Sequence, residues 1–429
     1  MGLFFFKKIC IVENMRQSEL FSKTQRSLPK DEESTNAKLL LRSGFVHKET
    51  AGVYSFLPLG LKVLNNIISI IREEMNAIGG QEVFLSSLQG PEVWRKSGRW
   101  DDKIVDVWFK TKLKNGGELG LANTHEEALT ALLSHHVSSY KDLPLLVYQF
   151  QTKFRNETRA KSGLMRTREF IMKDLYSFAR TLKEHEMLYG KVIEAYKKIF
   201  ERIGIGEKTL FTFASGGSFS KYSHEFQTLC SAGEDTIYIC GHCKVAVNKE
   251  IIKEQPSCPQ CGNQELKEES AVEVGNIFAL GTKYAEILGL EYLDENGKKI
   301  PVVMGSYGIG PGRVMGSVVE LFHDERGMIW PESIAPFKVH LLSLPGGEEE
   351  SDKVYSSLQR DGIKVLYDDR ANVSPGEKLV DADLFGIPWR VVVSEKTVAV
   401  DSVEVKKRNE EKAELIKQKD IAKFLAKNT

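Results

Sequence analysis

From Leu145 to Arg155 the chain reads LLVYQFQTKFR, and from Tyr148 onward two kinds of side chain alternate without a break. Tyr148, Phe150, Thr152 and Phe154 fall on one face, and Gln149, Gln151, Lys153 and Arg155 on the other. A period of two belongs to a strand, because successive side chains of an extended backbone point to opposite sides. The second face is expected to be wet and basic. After the loop RNETRAKSGLM a second strand-like run, REFIMKDLYSF, follows, so residues 146–178 are predicted to form a long antiparallel hairpin.

That hairpin is electrically lopsided. Residues 150–180 hold eight Lys/Arg against three acids. A solvated sheet face explains many such runs. The alternative is a phosphate clamp, in which guanidinium forks held by a rigid strand grip phosphate oxygens in pairs. The glycine-rich MGSYGIGPGR at 304–313 adds close backbone approach and an Arg at a helix entrance, although it carries neither GK[ST] nor a third fingerprint glycine. Together the two segments supply what a bound triphosphate requires.

Around them, Leu64, Ile67, Ile68, Ile71, Met75 and Ile78 recur at spacings of three and four, an amphipathic helix closed by Gly79-Gly80. NTHEEALTALLSHHV places Glu127 three residues after Thr124, a capping-box pattern for a second helix. Residues 182–203 are helical by period, VEVGNIFALGTKYAEILGLEYL at 272–293 and IPVVMGSYGIG at 300–310 read as strand-like with RVMGSVVELFHDE as a helix after them, and beyond Trp330-Pro331 short strands and helices alternate, predicting a small α/β unit with a mostly parallel sheet.

The chain has 429 residues, too many for one ordinary core, and 59 basic residues balance 59 acidic ones, so a polyanion must be met by local patches. No apolar tract approaches the eighteen residues of a membrane span, and MGLFFFKKICIV lacks the basic lead and cleavage site of a secretory signal. A soluble, cytoplasmic protein with no membrane partner is expected. Four of the six cysteines form CxxC pairs, Cys240/Cys243 and Cys258/Cys261, with fourteen residues between the pairs. Tetrahedral thiolate coordination of a structural Zn²⁺ explains that spacing, and a redox pair is the alternative.

FRNE at 154–157, MRTREF at 165–170 and GSYGIGPGR at 305–313 resemble motifs 2 and 3 of the class II aminoacyl-tRNA synthetases. With GRWDD at 98–102, THEE at 124–127, SHEF at 223–226, DERGMIWPESIAPF at 324–337 and DDRxxxxPGxK at 368–378, the chain resembles the bacterial-type prolyl-tRNA synthetases from about Met15 onward. The resemblance implies an α+β fold: an antiparallel-sheet catalytic domain with helices over residues 15–335, then an α/β anticodon-binding domain over 336–429. Residues 1–14 are expected to be an extension, with Met15 an equally good start. Residues 236–268 are expected as a small zinc knuckle where long family members carry an insertion that hydrolyses mischarged alanyl-tRNA.

The reaction implied is activation of proline by ATP with Mg²⁺, then transfer to tRNA(Pro). The resemblance assigns Arg155 to bridge the proline carboxylate and the α-phosphate, Glu157 and Phe170 to hold the adenine, and Arg166 and Arg313 to hold the outer phosphates. Thr124, Glu126, His224 and Ser306 would line the proline pocket, and Asp369, Arg370 and Lys378 would read the anticodon. Ser306 stands where the family usually has Cys, Phe219-Ser220 where it has Gly-Gly, and Ser86 where the motif 1 proline supports the dimer interface. A homodimer is nonetheless expected. A pocket that admits proline discriminates against alanine by only about 1–3 kcal/mol. Without the insertion, mischarged tRNA is therefore either tolerated or cleared by a separate deacylase. Another class II synthetase of threonyl type, or a non-catalytic synthetase-like tRNA-binding protein, remains the alternative.

Overall fold

A computed structural model describes residues 14–27, 32–217 and 221–428. The expected extension over residues 1–14, apart from Asn14, and the Phe219-Ser220 pair lie outside the described residues. Helix α1 (Pro58–Ala77) begins with Pro at its first turn, where no backbone N–H is needed, and ends before Gly79, whose φ of +89° an L side chain rarely adopts. Its stripe Val63, Leu64, Ile67, Ile71 and Met75 is at most 1% exposed. Each such side chain contributes about 1.5–3 kcal/mol by leaving water.

Helix α2 (Glu126–Leu133) starts two residues after Thr124 without the predicted capping box. The Thr124 hydroxyl is turned to the Glu126 side chain and the Glu127 carboxylate to Arg99, so neither group is left to cap the helix. The hairpin forms as expected: β1 (Leu145–Phe154) pairs antiparallel with β2 (Glu169–Ala179) in unbroken register. Helix α3 (Leu182–Ile203) follows, capped by the Thr181 hydroxyl and terminated by Gly204 in the left-handed region. Then come β3 (Thr209–Ser215), β4 (Tyr222–Leu229), β5 (Asp235–Cys240), β6 (Ala246–Asn248), β7 (Leu266–Gly281) and β8 (Val303–Ile309). Within the stretch read as strand, Lys283–Leu288 is a short helix. Helix α4 (Pro311–Leu321) runs from the glycine-rich turn.

These strands make one nine-stranded sheet, ordered β4-β3-β6-β5-β7-β8-β2-β1 with Gln81–Glu82 at the far edge. Strand β4 also pairs with β7, so five strands close on themselves. The cysteine segment is part of that ring: β5 ends in its first cysteine, β6 lies between its two CxxC pairs, and β6 runs parallel to β3. It is woven into the catalytic unit rather than appended to it.

The second unit has a six-stranded sheet. Strands β9 (Val339–Ser343), β10 (Val365–Asp368) and β11 (Trp389–Val393) are parallel, with β12 (Ser402–Lys407) and β13 (Glu414–Lys417) antiparallel at one edge. Helices Glu348–Arg360 and Pro375–Phe385 cross between the parallel strands. At the opposite edge sits a strand from the other end of the chain, Met15–Arg16, parallel to β10. Residues 15 and 16, expected in the catalytic unit, thus belong to this sheet. Arg16 bonds Asp352 and Asp369 at 2.8 and 3.1 Å and packs on Tyr367, and Gln17 meets buried His340 at 2.9 Å, which ties the edge strand down.

Candidate active site

Register places one row of side chains on the same face of the large sheet. Ser306 on β8 lies opposite Phe278 on β7 and Tyr176 on β2, Gly308 opposite Asn276 and Asp174, and Asp174 opposite Gln149 on β1. The alternation in β1 was legible, but its polar face is not wet. Gln149, Gln151 and Lys153 are 1%, 4% and 0% exposed. Lys153 Nζ donates to Asp174 Oδ1 at 2.7 Å and meets His125 Nδ1 at 2.8 Å, while Gln149 and the Tyr176 hydroxyl donate to Asp174 Oδ2. The helix start at His125 roofs this face, and burial demands that every polar atom find a partner. Burial pushes the Lys153 ammonium down and the neighbouring Asp174 opposes it. The same burial and the Lys153 charge push His125 down to about 4.

Above this floor a cavity of about 240 Å³ is lined by Thr124, Glu126, Arg155, Tyr176, Phe278 and Ser306, among others. Glu126 dominates it. Its carboxylate accepts from the Thr124 hydroxyl and, at 3.0 Å, from Ser306 Oγ, with Arg99 NH1 at 3.9 Å. Three of the four expected pocket residues are thus brought together: Thr124, Glu126 and Ser306. His224 is not. On β4 it alternates with Glu225, and Glu225 is the one that faces the site. His224 instead stacks on Phe211, meets Phe213 edge-on and shares a hydrogen bond with the Tyr189 hydroxyl at 2.6 Å.

A second cavity, about 330 Å³, is walled by Tyr54, Phe56, Phe170, Gly308, Gly310 and Arg313. A third, about 260 Å³, holds Glu157, Arg166, Glu234, Glu273 and Arg313. Arg155 and Arg313 line both, and Arg155 also lines the Glu126 cavity. The Arg155 guanidinium lies 5.4 Å from the Phe170 ring centre and reaches the Asn123 carbonyl at 3.4 Å. Burial and the nearby Arg313 charge both lower its affinity for its proton, yet a guanidinium stays charged. Two cations sharing a half-enclosed space make a place for an anion.

Glu157 and Phe170, expected to hold one base between them, face different cavities. Arg166 bonds Glu157 at 2.8–2.9 Å and Glu234 at 2.8 Å, so Glu157 orients a cation at the third cavity while the aromatic wall belongs to the second. Sequence reasoning passed over Glu225, Asp235 and Glu273, which cluster beside Arg313. Glu225 is pushed up to about 8 by burial and by Glu273, and Asp235 is raised by burial. The only signal for Glu225 was strand alternation within SHEF. Arg99, inside the quoted GRWDD, was passed over too; it bonds Glu127 at 3.0 Å and stands over the Trp94 ring.

The three candidates in the second unit are engaged within the chain. Lys378, 5% exposed, donates to the Ser343 and Asp368 carbonyls. Arg370 forks onto Asp368 and reaches Asp381, and Asp369 accepts from Arg16 and Ser18. Parallel strands end there with polar groups that burial obliges to pair, so these residues organise the sheet's rim rather than presenting polar edges outward.

The four cysteines come together, with their sulfurs all within 4.8 Å of one another and the Cys240–Cys261 and Cys243–Cys258 pairs at 3.6 and 3.4 Å. A tetrahedral ion with bonds of about 2.3 Å sets its sulfurs about 3.8 Å apart, so the cluster fits a closed four-thiolate site.

The family model described as tRNA synthetase class II core domain (G, H, P, S and T) matches residues 109–322, and that described as anticodon binding domain matches residues 334–428. The proline--tRNA ligase of Xanthobacter autotrophicus is 36% identical, covering 96% of this chain and 100% of that one. That of Ehrlichia chaffeensis is 37% identical over 92% of this chain and 96% of its own length. The Bacillus cereus relative is 32% identical, covering 96% of this chain and 99% of that one, in an alignment of 567 positions that exceeds this chain's 429 residues. It therefore carries sequence absent here. Among solved structures, the prolyl-tRNA synthetase of Cryptosporidium parvum with L-proline and AMP is 18% identical with a TM-score of 0.74, over 92% of this chain and 74% of that one. The Giardia lamblia enzyme with prolyl-adenylate is 19% identical with a TM-score of 0.74, over 90% and 74%. These likenesses speak for the fold, and the close relatives for the family: the chain belongs to the proline--tRNA ligases, built as a class II synthetase core with an anticodon-binding domain.

Proposed function

We propose that the three adjoining cavities hold the parts of one reaction, with proline beside Glu126, adenosine beside Phe170 and the outer phosphates beside Arg166 and Arg313. The chain is an aminoacyl-tRNA ligase that activates proline with ATP and transfers the prolyl group to tRNA(Pro). The observation that carries the assignment of sites is that Arg155 lines all three cavities. Attack of a carboxylate on an α-phosphate brings two anions together, and a guanidinium at the junction neutralises and aligns both. Glu126, held by Thr124 and Ser306, offers its charge to the secondary ammonium of proline, and Phe278 and Tyr176 offer walls to the ring. Glu157 keeps Arg166 aimed at the phosphate end.

The carboxylates of Glu225, Asp235 and Glu273 are hard oxygen donors suited to Mg²⁺ carried in by ATP, which when bound offsets phosphate charge. The four cysteines would hold a structural Zn²⁺. The second unit would bind the anticodon arm of tRNA(Pro), by surfaces other than Lys378, Arg370 and Asp369. We further read the chain up to residue 335, apart from the Met15–Arg16 strand, as the catalytic unit and residues 336–429 with that strand as the anticodon-binding unit, working as a cytoplasmic homodimer. No described helix is long and apolar enough to cross a membrane. With only the cysteine segment where long family members carry their editing insertion, alanyl-tRNA would be hydrolysed elsewhere, if at all.

The test is amino-acid-dependent ATP–pyrophosphate exchange over a panel of amino acids. Exchange stimulated by proline alone is expected, and exchange stimulated only by threonine would overturn the reading.

A further inference from the structure

The cysteine segment reaches the nucleotide site through one side chain. Asn248 closes β6, between the two CxxC pairs, and is 6% exposed. Its Nδ2 donates to Glu225 Oε2 at 3.2 Å, and its Oδ1 accepts from the Glu250 N–H at 3.1 Å, which fixes which end of the amide faces the carboxylate. Gln227 Nε2 donates to the same Glu225 oxygen and to Asp235, each at 2.9 Å. Glu225 in turn lines the Phe170 and Arg313 cavity. The strand bearing Asn248 is held on both sides, by β3 through Thr212 and Phe213 and by β5 through Ile237 to Ile239. The sulfur cluster pins the start of that run at Cys240 and Cys243, and Cys258 pins the return.

We propose that Asn248 is a positioning residue for ATP binding: held by the four-cysteine clip, it fixes Glu225 as an aligned carboxylate at the nucleotide cavity. The clip is thereby a working part of the synthetase site and not only a staple. Two like-charged neighbours crowd this place: Glu273 on β7 and Asp235 on β5 act on Glu225, while the Arg313 guanidinium on α4 lies 3.8 Å from Glu273 and offsets Asp235. Asn248 and Gln227 donate to the same Glu225 oxygen, so the two amides set the direction in which that carboxylate meets the cavity. With one donor removed Glu225 is held by Gln227 alone and loses that alignment, which weakens its hold on the cation that accompanies a triphosphate.

The inference rests on the assignment of the nucleotide cavity, so its test includes Arg313→Ala as a separate control. Full-length Asn248→Ala and the similarly sized Asn248→Leu, which cannot donate, are measured in proline-dependent exchange at varied ATP and varied proline. The expected result is a KM for ATP raised about 5- to 20-fold with kcat and KM for proline within twofold. Cys261→Ser is expected to lose its bound metal and to show the same rise. An unchanged KM for ATP in a folded Asn248→Leu variant would overturn the proposal, as would a fall in kcat alone. If Arg313→Ala also leaves KM for ATP untouched, the nucleotide assignment itself fails. If only Arg313→Ala raises it, the role of Asn248 alone is lost.

Discussion

Ser306 on β8 donates a hydrogen bond to Glu126 across 3.0 Å, joining an inner strand of the large sheet to the mouth of α2. The contact fixes one carboxylate oxygen while the Thr124 hydroxyl fixes the other. Ser306→Ala should free one side of Glu126 and raise KM for proline about tenfold, the equivalent of about 1.4 kcal/mol. Ser306→Cys, with a weaker donor of similar size, should fall between the two. Steady-state exchange at varied proline distinguishes them, and an unchanged KM in Ser306→Ala would remove the hydroxyl from the pocket.

Arg155 stands where the three cavities meet. Arg155→Ala should depress exchange by at least about 10²-fold while far-UV circular dichroism and the thermal midpoint stay close to those of the parent. Among the described residues its side chain hydrogen-bonds to the Asn123 carbonyl at 3.4 Å, and its backbone bonds survive the substitution, so the fold depends little on the guanidinium. Normal exchange in a folded variant contradicts the assignment.

Metal content is checked directly. Elemental analysis should give close to one zinc per chain, lost on replacing any of Cys240, Cys243, Cys258 or Cys261 with Ser. A purified chain with no zinc and a Cys–Cys disulfide would favour the redox reading.

The purified protein alone should not speed hydrolysis of alanyl-tRNA(Pro) above the uncatalysed rate, while charging proline normally. Rapid deacylation would show that an editing activity resides in this chain after all.

Two buried histidines predict acid lability. His125 and His340 are 0% and 1% exposed and are both lowered to about 4, chiefly by burial. The unfolded chain binds their protons near pH 6.5. Stability from keeping them neutral is therefore complete above about 6.5 and is lost as pH falls toward 4. Each contributes a slope of up to about 1.4 kcal/mol per pH unit in that window. Urea titrations at pH 7.0 and 5.0 should show the loss, and His340→Asn should lessen the slope by about half of this part. A flat profile between those values would refute it.

Periodicity carried the elements well. The helix at 182–203 and the hairpin of β1 and β2 fall within a residue or so of where spacing puts them, because long amphipathic runs leave little choice of backbone. What spacing cannot carry is which face meets water. The Lys153 face of β1 is covered by His125, a residue 28 positions away in sequence, so a basic stripe became a buried ion pair with Asp174. The capping box at Thr124 gave way because Glu127 gained more from Arg99 than from a helix end. His224 and Glu225 show the one-residue uncertainty of strand reading, since a motif names both and only the sheet decides which points inward. Lys378 and Arg370 looked available because sequence does not reveal that Asp368 and Asp381 lie beside them.

The Met15–Arg16 strand completes a sheet whose other members begin more than 300 residues later. During synthesis these residues leave the ribosome first and must wait, unpaired, until β10 emerges. A fragment cut at residue 336 would consequently bare the flank of β10 and strip His340 of Gln17, and an exposed parallel flank of that kind invites self-association. The anticodon-binding unit is thus contiguous in sequence only in name: its boundary drawn on the chain and its boundary drawn in space are different lines.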